Sequence, residues 1–440
     1  MHIAPRLARS TPFFYGWAIL FAAGSSQFVR NAVASLTLAV FMYPMSQDLG
    51  WSRLLIAGAA AAGGLASSAA SPLVGWLVDR WGVRIVLTVA ILILGLSTLS
   101  LSWATAPLAF YLAYGVGRVI FSSPIQIGST VVVSRWFVRR RGRAIGILFA
   151  FAAAGMAVFP LLASIIIQSR GWQDAWMFLG FLVWIIALAP VSLLIIQRPE
   201  EVGLTPDGTP ASDALGQATL AAEPTWTFAE AVKSPSLWLL AAAGGVVFFI
   251  QSGTNVHQGA YYQDQGLSAT IAASALSLNA LFAGVGGLFW GWVCERVPVR
   301  YAFAFVAALM AVISGLFITV DTAGEAFLFS ALFGFSLGGI LVVPTVAFAD
   351  YFGRRSLGAI RGTTEAIVAL SQAAGAIFGA VVFEATGSYR IAFFVYAALG
   401  VVAVLLILQA RPPGAAPGLH GAAGRGLAPS RHPMLLDPAP

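Results

Sequence analysis

Charge is what this chain has least of. Only 9% of its 440 residues are Asp, Glu, Lys or Arg, against 59% hydrophobic, where a soluble globular protein carries about 25% charged residues. Most of the chain therefore avoids water. Cysteine is nearly missing: Cys294 stands alone, which excludes an intramolecular disulfide and any paired-cysteine metal site. The four histidines are scattered and never take the His-Glu-x-x-His spacing of a helical zinc site. No Gly-x-x-x-x-Gly-Lys-Ser/Thr phosphate loop occurs, which excludes direct use of ATP by that route. No cofactor and no metal are expected. Lysine is reduced to Lys233, so the formal net charge of +7 is carried by arginine.

A positive balance of this size raises the question of nucleic acid. The arginines sit in short loops between apolar runs, which the positive-inside rule explains without a nucleic-acid partner.

What the chain does have is long apolar runs, at 13–43, 53–78, 84–104, 107–134, 144–168, 175–197, 236–260, 269–293, 300–320, 326–349, 360–385 and 389–409. About 20 residues of helix cross a bilayer core, and backbone at that depth must bond to itself. The runs are therefore predicted to be twelve transmembrane helices, an all-α membrane protein in two pseudo-symmetric six-helix bundles. Residues 13–25 have the composition of a signal-peptide core, but the apolar pattern continues to Tyr43, so a retained first helix is expected.

Charge sets an orientation. With the N-terminus inside, the external loops hold only Arg53, Arg170 and Arg390, while Arg30 and Arg118 stay within spans; the remaining basic residues fall on cytoplasmic segments. Both termini are thus expected in the cytoplasm, in a cytoplasmic (inner) membrane, with the chain monomeric and the lipid bilayer its one large partner. The expected organisation is a bundle over 1–197, a Pro/Ala/Thr-rich cytoplasmic linker over 198–235, a second bundle over 236–409, and a disordered cytoplasmic tail over 410–440. The end of the linker, Thr227 to Val232, reads as a short helix on the membrane surface.

The halves repeat. Asp48-Leu49-Gly50-Trp51-Ser52 matches Asp264-Gln265-Gly266-Leu267-Ser268 at an offset of 216 residues, and the same offset carries Gly75, Asp79, Arg80 and Arg84 onto Gly291, Glu295, Arg296 and Arg300. Two motifs at one offset argue for duplication of a six-helix unit with a site between the copies.

The strongest motif is Gly75-Trp76-Leu77-Val78-Asp79-Arg80-Trp81-Gly82-Val83-Arg84, in the tight turn between spans 2 and 3. Its glycines, Gly75 and Gly82, allow close approach and a sharp bend. Asp79 is suited to a helix N-terminus or an arginine. A polar lock of this kind can form in one conformation and break in another; the plain alternative is a charged turn.

On this motif the chain resembles the major facilitator superfamily, over residues 13 to 409. The resemblance implies alternating access by rocking of two bundles around a central cavity. The second copy departs from the pattern, with Glu295 for Asp and Pro298 for Gly. Gly50-Trp51-Ser52-Arg53, Arg135-Trp136-Phe137, Arg141-Gly142-Arg143-Ala144-Ile145-Gly146, Arg198-Pro199-Glu200-Glu201-Val202-Gly203-Leu204 and Thr386-Gly387-Ser388-Tyr389-Arg390 resemble the monocarboxylate porter and oxalate–formate antiporter branch. That branch implies small organic anions as substrates. Its anion-handling members carry an arginine in helix 8 or a lysine in helix 11. Here span 8 offers Asn279, and span 11 offers Glu365 and Gln372.

The candidate substrate residues are polar groups inside spans. Gln27, Arg30 and Asn31 share a helical face in span 1. A charge at the bilayer centre costs about 2.5–3.5 kcal/mol, so Arg30 is either an anion or coupling site or a structural, interhelical arginine. In span 4, Arg118 shares a face with Gln126 and resembles the superfamily's helix-4 arginine, which is associated with proton coupling and with bundle structure. Span 7 carries Gln251, Asn255 and Gln258, with His257 beside them as either a proton relay or part of a polar helix end. Glu365 is either a proton carrier or the i+4 partner of Arg361, and the pair is the favoured reading.

The sequence therefore points to a secondary transporter of a small organic anion, coupled to protons or working by exchange. Efflux of a toxic or neutral compound is the alternative. An enzyme would need clustered acids, His or Cys at membrane depth, and a sensor would need an ordered cytoplasmic domain; neither is visible.

Overall fold

The computed structural model describes residues 13–208 and 224–413. The middle of the linker and the tail beyond residue 413 lie outside the described residues, and with them the expectation of tail disorder. Twelve helices long and apolar enough to cross a membrane account for nearly all of the rest. The first six are α1 (Gly16–Leu49), α2 (Arg53–Trp81), α3 (Val83–Ser100), α4 (Pro107–Trp136), α5 (Arg141–Arg170) and α6 (Trp172–Leu194). The second six are α7 (Pro235–Asp264), α8 (Ala269–Cys294), α9 (Val299–Leu316), α10 (Ala323–Phe352), α11 (Leu357–Thr386) and α12 (Arg390–Gln409).

The internal repeat has a local cause. Gly50 and Gly266 take φ of 68° and 81°, the left-handed region that ends a helix most cheaply with glycine. Two residues on, Ser52 accepts the Leu55 N–H and Ser268 the Ile271 N–H, each capping the next helix. The Asp-x-Gly-x-Ser motif is thus a helix stop followed by a helix start, used at the same place in both halves. Thr227 and Glu230 form a capping box that starts the one-turn helix Phe228–Ala231 at the end of the linker.

Two spans expected to be continuous are broken. α1 narrows to a 3-10 turn at Arg30–Val33, turns extended at Ala34 and restarts at Ser35. Asn31 is the cause: its side-chain amide donates to the Gln27, Phe28 and Ala152 carbonyls, and its own carbonyl accepts from Thr37 Oγ1. Such side-chain bonds compete with the helical ladder. α4 breaks at Ser123, because Pro124 has no N–H to continue it. The Ser123 hydroxyl lies 3.0 Å from that of Ser67 and 2.6 Å from that of Ser71 in α2, so the broken turn stays bonded at membrane depth. α6 loosens into a π turn at Trp184–Leu188 just before Pro190.

The halves meet through small residues. A Cβ on Gly75 would overlap the Gly358 carbonyl, and one on Gly362 the Ser71 carbonyl, so α2 and α11 touch backbone to backbone. The counterpart pair, α5 and α8, does the same: a Cβ on Gly142 would overlap the Gly291 carbonyl, and one on Gly146 the Gly287 carbonyl.

Candidate functional site

Both helix breaks place polar groups at the centre of the first half. Arg30, in the 3-10 turn of α1, donates from Nη1 to Gln126 Oε1 at 2.6 Å and to the Phe121 carbonyl at 3.3 Å, beside the α4 break. Gln27 donates to Ser129 Oγ at 2.6 Å and to Gln126 Oε1 at 3.4 Å. The guanidinium of Arg118 joins from α4: Arg30 and Arg118 lie 4.5 and 4.6 Å from the centroid of the same Phe121 ring. The Nε atoms of both arginines are buried without a hydrogen-bond partner. Among the described residues, no carboxylate is within ion-pairing distance of either. Asn31, by contrast, spends its amide on the three carbonyls that hold the α1 break.

Glu365 supplies a counter-charge that acts on Arg30 through space from α11. Its carboxylate pairs directly with Arg361, one turn earlier, and Arg361 lies over the Phe348 ring at 5.7 Å. A small cavity of about 30 Å³, room for a water or two, joins the halves here. It is lined by Gln126 on one side and by Phe348, Arg361, Thr364 and Glu365 on the other.

Beyond that ion pair, the second half contributes amides. Asn279 of α8 donates to Asn255 Oδ1 at 3.0 Å and to Gln258 Oε1 at 3.2 Å. Gln258 in turn donates to the Tyr262 hydroxyl at 2.9 Å and to Ser330 of α10. Gln372 of α11 donates to Gln251 Oε1 at 3.3 Å. His257 is set apart from this network. Its Nε2 meets the Ala376 carbonyl at 2.8 Å and its ring packs against Tyr389, between α7 and α11.

The repeated turn motifs divide into two groups. Gly75, Asp79, Gly291 and Glu295 bridge the halves. Asp79 accepts the Gly358 and Ala359 N–H groups at 3.1 and 2.8 Å, at the start of α11, and pairs with Arg135 of α4 at 2.8 Å. Glu295 accepts the Arg143 N–H at 3.1 Å and pairs with the Arg143 Nε at 2.6 Å, at the start of α5. Arg80, Arg84, Arg296 and Arg300 do not bridge. Arg84 donates to the Ser192 carbonyl within its own half, Arg296 lies on Trp292, Arg300 bonds Tyr301, and Arg80 is exposed.

Residues outside the candidate set complete this closure. Arg141 pairs with Asp350, and Arg354 donates to the Arg135 carbonyl at 2.8 Å and to Glu200 at 3.0 Å. Every hydrogen bond and ion pair described between the halves lies at this Asp79 end. The sequence offered a signal for them, since Arg135, Arg141, Arg143 and Glu200 stand in the branch motifs. Phe121, Ser129, Tyr262 and Ser330 carried none, because an aromatic or hydroxyl residue in an apolar run looks like packing.

Two six-helix halves, locked together at one end and carrying polar groups at membrane depth, have the architecture of a polytopic membrane transporter. The sequence profile of the Major Facilitator Superfamily matches residues 17–323 and 253–437, and the chain belongs to that family. Among its relatives is the oxalate:formate antiporter of Oxalobacter formigenes, 23% identical over 71% of this chain and 72% of that one. Another is the aspyridones efflux protein apdF of Emericella nidulans, 23% identical over 73% of this chain and 62% of that one. The crystal structure of the human organic anion transporter MFSD10 (TETRAN) superposes with a TM-score of 0.68 at 13% identity, covering 90% of this chain and all of that one.

Proposed function

We propose that this transporter moves a small organic anion of the monocarboxylate kind, by proton coupling or exchange. The observation that carries the reading is the pair Arg30 and Arg118 on one Phe121 ring, half-buried, with their Nε atoms enclosed and no carboxylate bonded to either. Two like charges held together at membrane depth repel, and a carboxylate placed between them relieves that repulsion. Gln126 holds Arg30 and is itself bonded by Gln27, and Gln251, Asn255, Asn279 and Gln372 offer amides from the other half. The likeness to an oxalate:formate antiporter supports the same substrate class.

In this reading residues 1–197 and 236–409 rock as two units, joined by the 198–235 linker. A single chain is a complete transport unit. The Asp79 end faces the cytoplasm, with both termini, and the structure is the state closed on that side. His257 and Glu365 are the proton carriers: His257 from its place between α7 and α11, Glu365 by exchanging Arg361 for a proton.

A second reading, efflux of a neutral or toxic compound, has its own support. Besides the Arg361–Glu365 pair and Thr364, α8 and α11 present amides to the centre, and efflux proteins stand among the relatives.

The test is counterflow in proteoliposomes with labelled formate, oxalate and lactate, with and without a pH gradient. Anion exchange abolished by Arg30→Ala and by Arg118→Ala is the expected result. Exchange untouched by both substitutions refutes the anion site. Movement of neutral compounds alone, with every anion excluded, establishes the efflux reading instead.

A further inference from the structure

Away from the central arginines, a second cluster of guanidiniums lies at the Asp79 end, and the substrate site does not use it. At the Asp79 end a cleft of about 470 Å³ opens between the halves. It is lined by Arg135 at the end of α4, Arg198 beyond α6, Arg354 and Arg355 in the α10–α11 loop, with Glu200 and Thr225 beside them. Four guanidiniums therefore face one lining carboxylate.

Arg135 is the floor of the cleft. Its side chain is 0% exposed and gives one nitrogen, Nη2, to Asp79. Its Nε and Nη1 are buried and have no hydrogen-bond partner. Arg198 and Arg354 stand near enough for their charges to act on it. Arg354 is held in place by Glu200 and by the Arg135 carbonyl, while Arg198 and Arg355 are exposed at the rim. Glu201, next to Glu200, also feels the pull of Arg198 and Arg135, while burial pushes its carboxyl up.

We propose that this cleft binds a phosphate-type oxyanion, either a soluble phosphate or diphosphate or the headgroup of an anionic phospholipid. Buried N–H groups of a guanidinium left without acceptors are costly, and planar arginine forks match phosphate oxygens in pairs. The site takes Arg135 from one half, Arg198 from the start of the linker, and Arg354 and Arg355 from the other half. An occupant therefore ties the halves together and holds the Asp79 end closed. Parting of the halves dismantles the site, so the anion is a brake on the transport cycle rather than a cargo.

The sole thiol reports the outcome. Cys294 is half-buried where α8 meets Gly142 of α5, at the contact between the halves. The full-length protein in phosphatidylcholine nanodiscs is labelled at Cys294 with a maleimide, and melted, at constant ionic strength set with chloride. Pyrophosphate at about ten times its dissociation constant is expected to slow labelling about tenfold and to raise the melting temperature. The double variant R198Q/R355Q abolishes both effects and labels at the pyrophosphate-free rate. Slow labelling without pyrophosphate in nanodiscs containing phosphatidic acid, again lost in the double variant, assigns the site to lipid. Equal responses of wild type and double variant, or no change in labelling and melting in any arm, overturn the proposal.

Discussion

Asp79 and Glu295, 216 residues apart, do the same work in opposite halves: Asp79 receives two backbone N–H groups and Glu295 one, each at the start of a helix belonging to the other half. Asp79 holds the start of α11 and Glu295 the start of α5. Helix N-termini carry unsatisfied N–H groups and a partial positive charge, so a carboxylate there is bound by both. The duplicated turn is thus a pair of crossed clasps.

The two clasps are unequal, which gives a prediction. Asp79 also neutralises Arg135, whose side chain is wholly buried, whereas the Arg143 partner of Glu295 is 52% exposed. Leaving a wholly buried arginine without its partner costs about 3–5 kcal/mol, whereas Arg143 reaches solvent and loses less when Glu295, itself only 8% exposed, is neutralised. Asp79→Asn is expected to lower the melting temperature of the purified protein far more than Glu295→Gln does. Equal shifts would contradict this account of the clasps.

Gly75 and Gly291 are predicted to be gate residues through size alone. An added Cβ overlaps the Gly358 carbonyl in one case and the Gly142 carbonyl in the other. Gly75→Ala and Gly291→Ala should each hold the Asp79 end apart, seen as faster maleimide labelling of Cys294 and slower counterflow. Unchanged labelling in both variants would show that the close approach is not needed for closure.

Phe121 is expected to tune affinity for the anion. A cation–π contact contributes about 1 kcal/mol, a factor of about five in binding. Phe121→Leu should therefore raise the half-saturating concentration of a transported carboxylate about fivefold while leaving the maximal rate near that of the wild type. A loss of rate with unchanged half-saturation would assign the ring to helix packing.

Ser330 completes the amide network through Gln258 and Tyr262. Replacing it with alanine leaves buried polar partners unpaired, at about 1–3 kcal/mol. Ser330→Ala should reduce thermal stability by that amount without changing selectivity among anions, whereas Asn279→Ala, facing the other side of Gln258, should change both. Identical effects of the two substitutions would place Asn279 in the scaffold.

His257 and Glu365 separate the coupling routes. If protons drive transport, His257→Gln or Glu365→Gln uncouples uptake from a pH gradient while exchange at equal pH continues, measured as the ratio of the two rates. Gradient-driven uptake intact in both variants would remove these residues from coupling.

The linear chain by itself determined the twelve helices and the duplication. Charge deficit and run length leave apolar segments no stable form but helices, and glycine and serine at fixed spacing stop one helix and cap the next whatever surrounds them. It also exposed the two arginines inside spans, because a charge among apolar residues is visible without any structure. Only the tertiary structure decided what those charges meet. Helical periodicity put Asn31 on one face with Arg30, yet the Asn31 amide was spent on breaking α1. Phe121, an ordinary apolar residue in the sequence, became the ring that both arginines share. Asp79 found its partners at Arg135 and at the start of α11, on helices 56 and 279 residues away. Local propensity acts over a few residues and is written in them. Partnership across a bundle depends on how whole helices break, tilt and approach, and no short stretch of sequence carries that information.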